Sequence, residues 1–90
     1  MRAAATKLAR PEWAVRIEKL RDRLGFSQTE FAGKLDVSAM AVSRWERGIN
    51  EPPSHCYIAL GKLAGQDGCW FFWERAGLTK NDVRRMLNHP

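Results

Sequence analysis

Residues 28–48 read QTEFAGKLDVSAMAVSRWERG, and the fold of the chain is decided there. Ser27, one residue ahead of the stretch, and Glu30 form a capping box: the hydroxyl accepts from the Glu30 backbone N–H and the carboxylate reaches back. Phe26 and Phe31 flank that start at the two positions of a hydrophobic staple. The helix so opened is short, with Phe31, Ala32 and Leu35 on its inner face and a stop around Asp36. Ser38 caps a second short helix in which Val42 and Trp45 point inward, and Gly48 marks the exit. Two helices joined by about three residues and crossing at roughly 90–120° come closest where a small side chain sits, and Ala32 is that side chain. Val37 plugs the turn. The outer face of the second helix, Ala39, Met40, Ser43, Arg44 and Arg47, is left free of core duties.

Upstream, Pro11 and Glu12 start a helix whose apolar stripe is Trp13, Ile17, Leu20 and Leu24, and Gly25 ends it as a left-handed cap. Downstream, Ile49 to Pro53 is a turn rich in helix breakers. A helix follows from about Ser54 to Ala64, with Cys56, Leu60, Leu63 and Ala64 at helical spacing. Residues 65–68 are a loop, Trp70 to Ala76 reads as a further helix, and Thr79 with Asp82 opens a last one carrying Val83, Met86 and Leu87. No segment alternates with the period of a strand, and no repeat or low-complexity tract is present. The expected fold is all-α, a compact bundle of five or six short helices.

The whole chain has 90 residues, which suits one small fold and leaves little interior for a substrate cleft. Its 15 Lys+Arg against 10 Asp+Glu give a formal charge of +5, which favours contact with phosphates. The longest apolar runs, Cys56 to Leu60 and Cys69 to Trp73, fall far short of the about 20 residues a membrane-spanning helix needs. Residues 1–10, with Arg2, Lys7 and Arg10 and no acid, form a basic arm and not an export signal. The two cysteines, Cys56 and Cys69, belong to no CxxC pair and have only His55 near them, so we expect reduced thiols in a cytoplasm, with no metal site and no cofactor. Nothing matches a phosphate-binding glycine loop, a nucleophile elbow or a paired-carboxylate arrangement, so no catalytic residues are assigned.

Arg21 through Gly48, with the later Pro53-Ser54, resembles the phage-repressor (Cro-like, Xre-like) helix-turn-helix family. The residues that carry the resemblance are Arg21, Ser27-Gln28, Ala32, Val37 and Trp45-Glu46-Arg47-Gly48. It covers about half the chain and, extended to the fourth helix, residues 13–64. Asp36 stands where most members have Gly, and the connection after Gly48 is a residue or two longer than usual.

The resemblance implies a helix-turn-helix domain over residues 11–66, flanked by the arm (1–10) and a C-terminal aromatic extension (67–90). It implies double-stranded DNA as partner, with the helix after Ser38 in the major groove. In that reading Ala39, Met40, Ser43 and Arg44 meet bases, with Arg44 on a guanine and Ala39 and Met40 on thymine methyls or shape. Ser27, Gln28, Ser38 and Arg47 hold phosphates, and Arg21 pairs with Glu46 as a structural ion pair. The implied function is a bacterial or phage transcriptional regulator of repressor type, binding a short palindromic operator as a homodimer. An antitoxin that also caps a toxin, or a protein-interaction module without DNA binding, are the alternatives; polymerase is a further possible contact.

Residues 27–48 carry no net charge (Lys34, Arg44 and Arg47 against Glu30, Asp36 and Glu46), so the motif, not a basic patch, carries the inference. The run Trp70-Phe71-Phe72-Trp73 cannot turn every ring to one interior from a single helix. Two arrangements follow. Either Trp73 with Trp70 or Phe71 closes the core and Phe72 rests on the last helix, or Trp70, Phe72 and Trp73 form a dimer contact, which is the expectation adopted.

Overall fold

A computed structural model describes residues 10–66 and 68–88. It is all-helical, with no strand among the described residues. Six helices follow in order: α1 Glu12–Leu24, α2 Gln28–Leu35, α3 Ala39–Glu46, α4 Ser54–Ala64, α5 Cys69–Arg75 and α6 Lys80–Asn88. The basic arm expected over residues 1–9 lies outside the described residues, as do the side chains of Val83, Met86 and Leu87.

The chain divides into two compact units, one ending at Glu51 and one starting at Pro52. α4 packs on α5 in the second unit.

In the first unit α2 packs on α3 and α3 on α1. Ala14, Ile17 and Leu20 of α1, Phe31, Ala32 and Leu35 of α2, and Val42 and Trp45 of α3 are buried. Each large one contributes about 1.5–3 kcal/mol on leaving water. Ala14 was missed in the sequence stripe, because a small residue carries little periodic signal. The helix ends are chemically specified. Gly25 adopts φ 78° after α1, and the N–H of Phe26 bonds to the Arg21 carbonyl at 3.2 Å. Asp36 ends α2 at φ 58°, the left-handed conformation that glycine usually fills, and Val37 N–H returns to the Ala32 carbonyl at 3.0 Å. Gly48, at φ 77°, lies so close to Pro11 that a Cβ there would sit 2.7 Å from the proline Cδ. The start of α1 thus crosses the end of α3.

In the second unit Cys56, Tyr57, Leu60 and Ala64 of α4 and Cys69 and Phe72 of α5 are buried. Thr79 and Asp82 cap α6 reciprocally, each backbone N–H donating to the other's side chain at 3.0 Å. No helix among the described residues is long and apolar enough to cross a membrane.

Candidate nucleic-acid interface

The start of α2 is held by its capping box. Ser27 Oγ accepts from Glu30 N–H at 3.0 Å, and Glu30 Oε1 accepts from Ser27 N–H at 2.8 Å. Bonds to its charged form from the Ser27 backbone N–H, and then from the Ser27 side chain, hold the Glu30 carboxyl below the usual glutamate range. The start of α3 is capped by Ser38, whose Oγ accepts from Ala41 N–H at 3.1 Å. Ser38 uses an oxygen lone pair on its own helix and keeps its O–H as a donor, whereas the Ser27 hydroxyl also bonds the Glu30 carboxylate.

Val42 and Trp45 fix the inner side of α3, which turns the other side outward. Met40 is 56% exposed, Arg44 and Arg47 are exposed, and Ala39 and Ser43 are half-buried. The Arg44 side chain has no hydrogen-bond or ion-pair partner among the described residues. Arg47 is folded back: its Nε donates to the Ser43 hydroxyl at 3.2 Å and the Ser43 carbonyl at 3.3 Å.

One carboxylate locks the other end of this helix. Glu46, with its side chain 4% exposed, accepts Arg21 Nε at 2.6 Å on Oε2 and Arg21 Nη2 at 3.0 Å on Oε1. Gln28 Nε2 donates to the same Oε1 at 3.0 Å. Arg21 also reaches the Phe26 carbonyl at 2.9 Å, closing the α1–α2 loop. Its hydrogen bonds to Glu46 raise the Arg21 pKa further above the physiological range. Such a bidentate pair keeps its charge and its geometry together. Gln28 commits one of its two amide N–H groups to Glu46.

A further member of the cluster escaped sequence reading. Arg10 Nη1 donates to the Glu46 backbone carbonyl at 2.7 Å and pairs with Glu18 at 2.9 Å. It serves the C-terminal carbonyl of α3 from 36 positions away, a distance at which no spacing rule operates.

Of the three residues expected in a dimer contact, Trp70 and Trp73 are half-buried and Phe72 is buried. Phe72 is only 3% exposed and stacks on Tyr57, with ring centroids 6.3 Å apart, so it is unavailable as a surface contact. Trp73 lies across Gly61, where a Cβ would collide with the indole, and its Nε1 donates to the Ile58 carbonyl at 3.0 Å. Trp70 meets Trp73 edge to face at 5.4 Å, and Lys80 Nζ lies 5.6 Å from its ring centroid. Whether Phe72 also rests on the last helix lies outside the described residues, since the side chains of Val83, Met86 and Leu87 do. Tyr57 and Gly61 form a second inward row on α4 that was hidden beside the Cys56–Leu60–Ala64 row.

Two short helices with a small residue at their crossing, an exposed outer face on the second and an ion pair closing the set define a helix-turn-helix. Residues 17–55 match the family model described as Helix-turn-helix, which supports the resemblance to the Cro-like, Xre-like family. No curated protein and no solved structure matches the chain significantly.

Proposed function

We propose that the chain is a sequence-specific DNA-binding transcriptional regulator of repressor type, with α3 in the major groove of a short palindromic operator. The observation that carries this reading is the pairing of an unpartnered, exposed Arg44 with a helix immobilised by Glu46. A recognition side chain discriminates bases only if its helix cannot drift, and the Glu46 network removes that freedom. Arg44 reads a guanine. Ala39, Met40 and Ser43 line the same groove face. Ser38 and Gln28 supply hydroxyl and amide donors to phosphates beside Ser27 at the start of α2, and Arg47 adds charge at the far end.

One recognition helix reads few base pairs, so two copies act together on half-sites about 10–10.5 bp apart. The surface available to join copies is Trp70 with the outer edge of Trp73, beside a cavity of about 580 Å³. Occupancy of an operator by such a dimer blocks transcription by occlusion.

Selection of bound sequences from random duplex DNA tests the reading. A recovered motif with two related half-sites is the expected result, and recovery of no motif above background contradicts it. Sedimentation at micromolar concentration, with and without the selected duplex, tests the dimer; a monomer in both conditions refutes that part.

A further inference from the structure

The outer face of α3 carries hydrogen-bond donors and almost nothing that accepts. Arg44 offers a guanidinium with no partner among the described residues. Ser43 has its oxygen turned to the Arg47 Nε–H, 3.2 Å away. A hydroxyl oxygen that faces a cation keeps its O–H as the outward polar end, and the neighbouring positive charge repels a second N–H donor. Met40 and Ala39 bring apolar surface, since a thioether is only a weak acceptor.

The acceptors that α3 does possess are committed. Both oxygens of Glu46 are taken by Arg21 and Gln28. The carbonyls of Ser43, Arg44, Trp45 and Glu46 accept from Arg47, Ile49, Gly48 and Arg10. The nearest carboxylates on α2 stand at its two ends, Glu30 in the capping box and Asp36 at the C-cap.

We infer that α3 is a donor-only reading surface, selective for the keto edges of guanine and thymine and blind to the amino groups of adenine and cytosine. The inference rests on the proposed docking of α3 in the major groove. Every base pair there presents one keto base, whose O6 or O4 accepts, and one amino base, whose N6 or N4 donates. A face that only donates registers which strand carries the keto base. Guanine is then told from thymine by the two-point match of Arg44 to O6 and N7, and thymine by its methyl against Met40 or Ala39.

The test uses the unmodified protein and base analogues placed singly in both strands of the selected duplex, within flanks long enough to keep it paired. Replacing guanine by 7-deazaguanine removes N7, and replacing thymine by uracil removes the methyl. Under α3 each lowers affinity, by about tenfold at the Arg44 position. Replacing adenine by purine removes only the N6 amino group, and changes affinity less than about twofold at every position. A purine substitution that costs tenfold overturns the inference while DNA binding stands. No binding of any duplex in the parent titration overturns the DNA reading and this inference with it.

Discussion

Gln28 and Arg21, on different helices, donate to the same oxygen: Gln28 Nε2 and Arg21 Nη2 each lie 3.0 Å from Oε1 of Glu46. The last turn of α1, the first residue of α2 and the last residue of α3 therefore depend on one carboxylate. The fold and the presentation of α3 are coupled through it.

Glu46→Ala removes the acceptor and leaves the Arg21 guanidinium, 14% exposed, without its counter-charge. Breaking one side of such a pair costs about 3–5 kcal/mol, and partial solvation of Arg21 places the loss at the lower end. Urea denaturation followed by circular dichroism reads it. A midpoint indistinguishable from that of the unmodified chain contradicts the coupling.

The Glu30 carboxyl is depressed by its bonds to Ser27. A carboxylate whose folded pKa lies below its unfolded one stabilises the fold above the unfolded pKa, and that contribution disappears as pH falls through the folded pKa. The start of α2 therefore loosens in acid, below the ordinary glutamate range, and Ser27→Ala brings the Glu30 titration back towards that range. Carboxyl carbon shifts of Glu30 against pH measure both. A midpoint in the unmodified protein at or above the ordinary range contradicts the capping box.

Gly61→Ala places a methyl where the Trp73 indole lies. Displacing the ring breaks its bond to the Ile58 carbonyl and loosens the edge contact with Trp70. Overpacking costs about 1–3 kcal/mol, against a gain of up to about 1 kcal/mol from helix propensity. The net expectation is a lower melting temperature with red-shifted tryptophan emission. Unchanged emission and an unchanged or higher melting temperature contradict the packing.

Arg44→Ala and Arg47→Ala separate base from backbone contact. Arg44→Ala costs about 1–3 kcal/mol on the selected duplex and relaxes preference at one position. Arg47→Ala weakens all duplexes alike and lowers the salt slope by about one. Anisotropy titrations at several salt concentrations distinguish the two, and an exchange of the patterns reverses the assignments.

Much of the first unit was legible because its signals are local. Ser27 with Glu30, Ser38, and the inward set Phe31, Ala32, Leu35, Val42 and Trp45 each announce themselves within a few residues. Asp36 shows the same principle, since a short polar side chain tolerates the left-handed turn. The commitment of Gln28 to Glu46 and the reach of Arg10 to the end of α3 are tertiary contacts that no local pattern marks. In the second unit, which ring of the run Trp70–Trp73 turns inward depends on the partner helix. Tyr57 supplies a stacking face to Phe72, and Gly61 supplies a gap for Trp73. Sequence reading saw the crowding of aromatics but not the sites that receive them.

In the proposed function α3 and the start of α2 contact duplex DNA. Addition of the selected duplex to isotopically labelled protein, followed by backbone amide and side-chain resonances, tests it most directly. The largest shifts are expected at Ala39, Met40, Ser43 and Arg44 and at the Gln28 side-chain amide, with small ones at Phe72 and Tyr57. Shifts confined to residues after Pro52, or none at all, would contradict it.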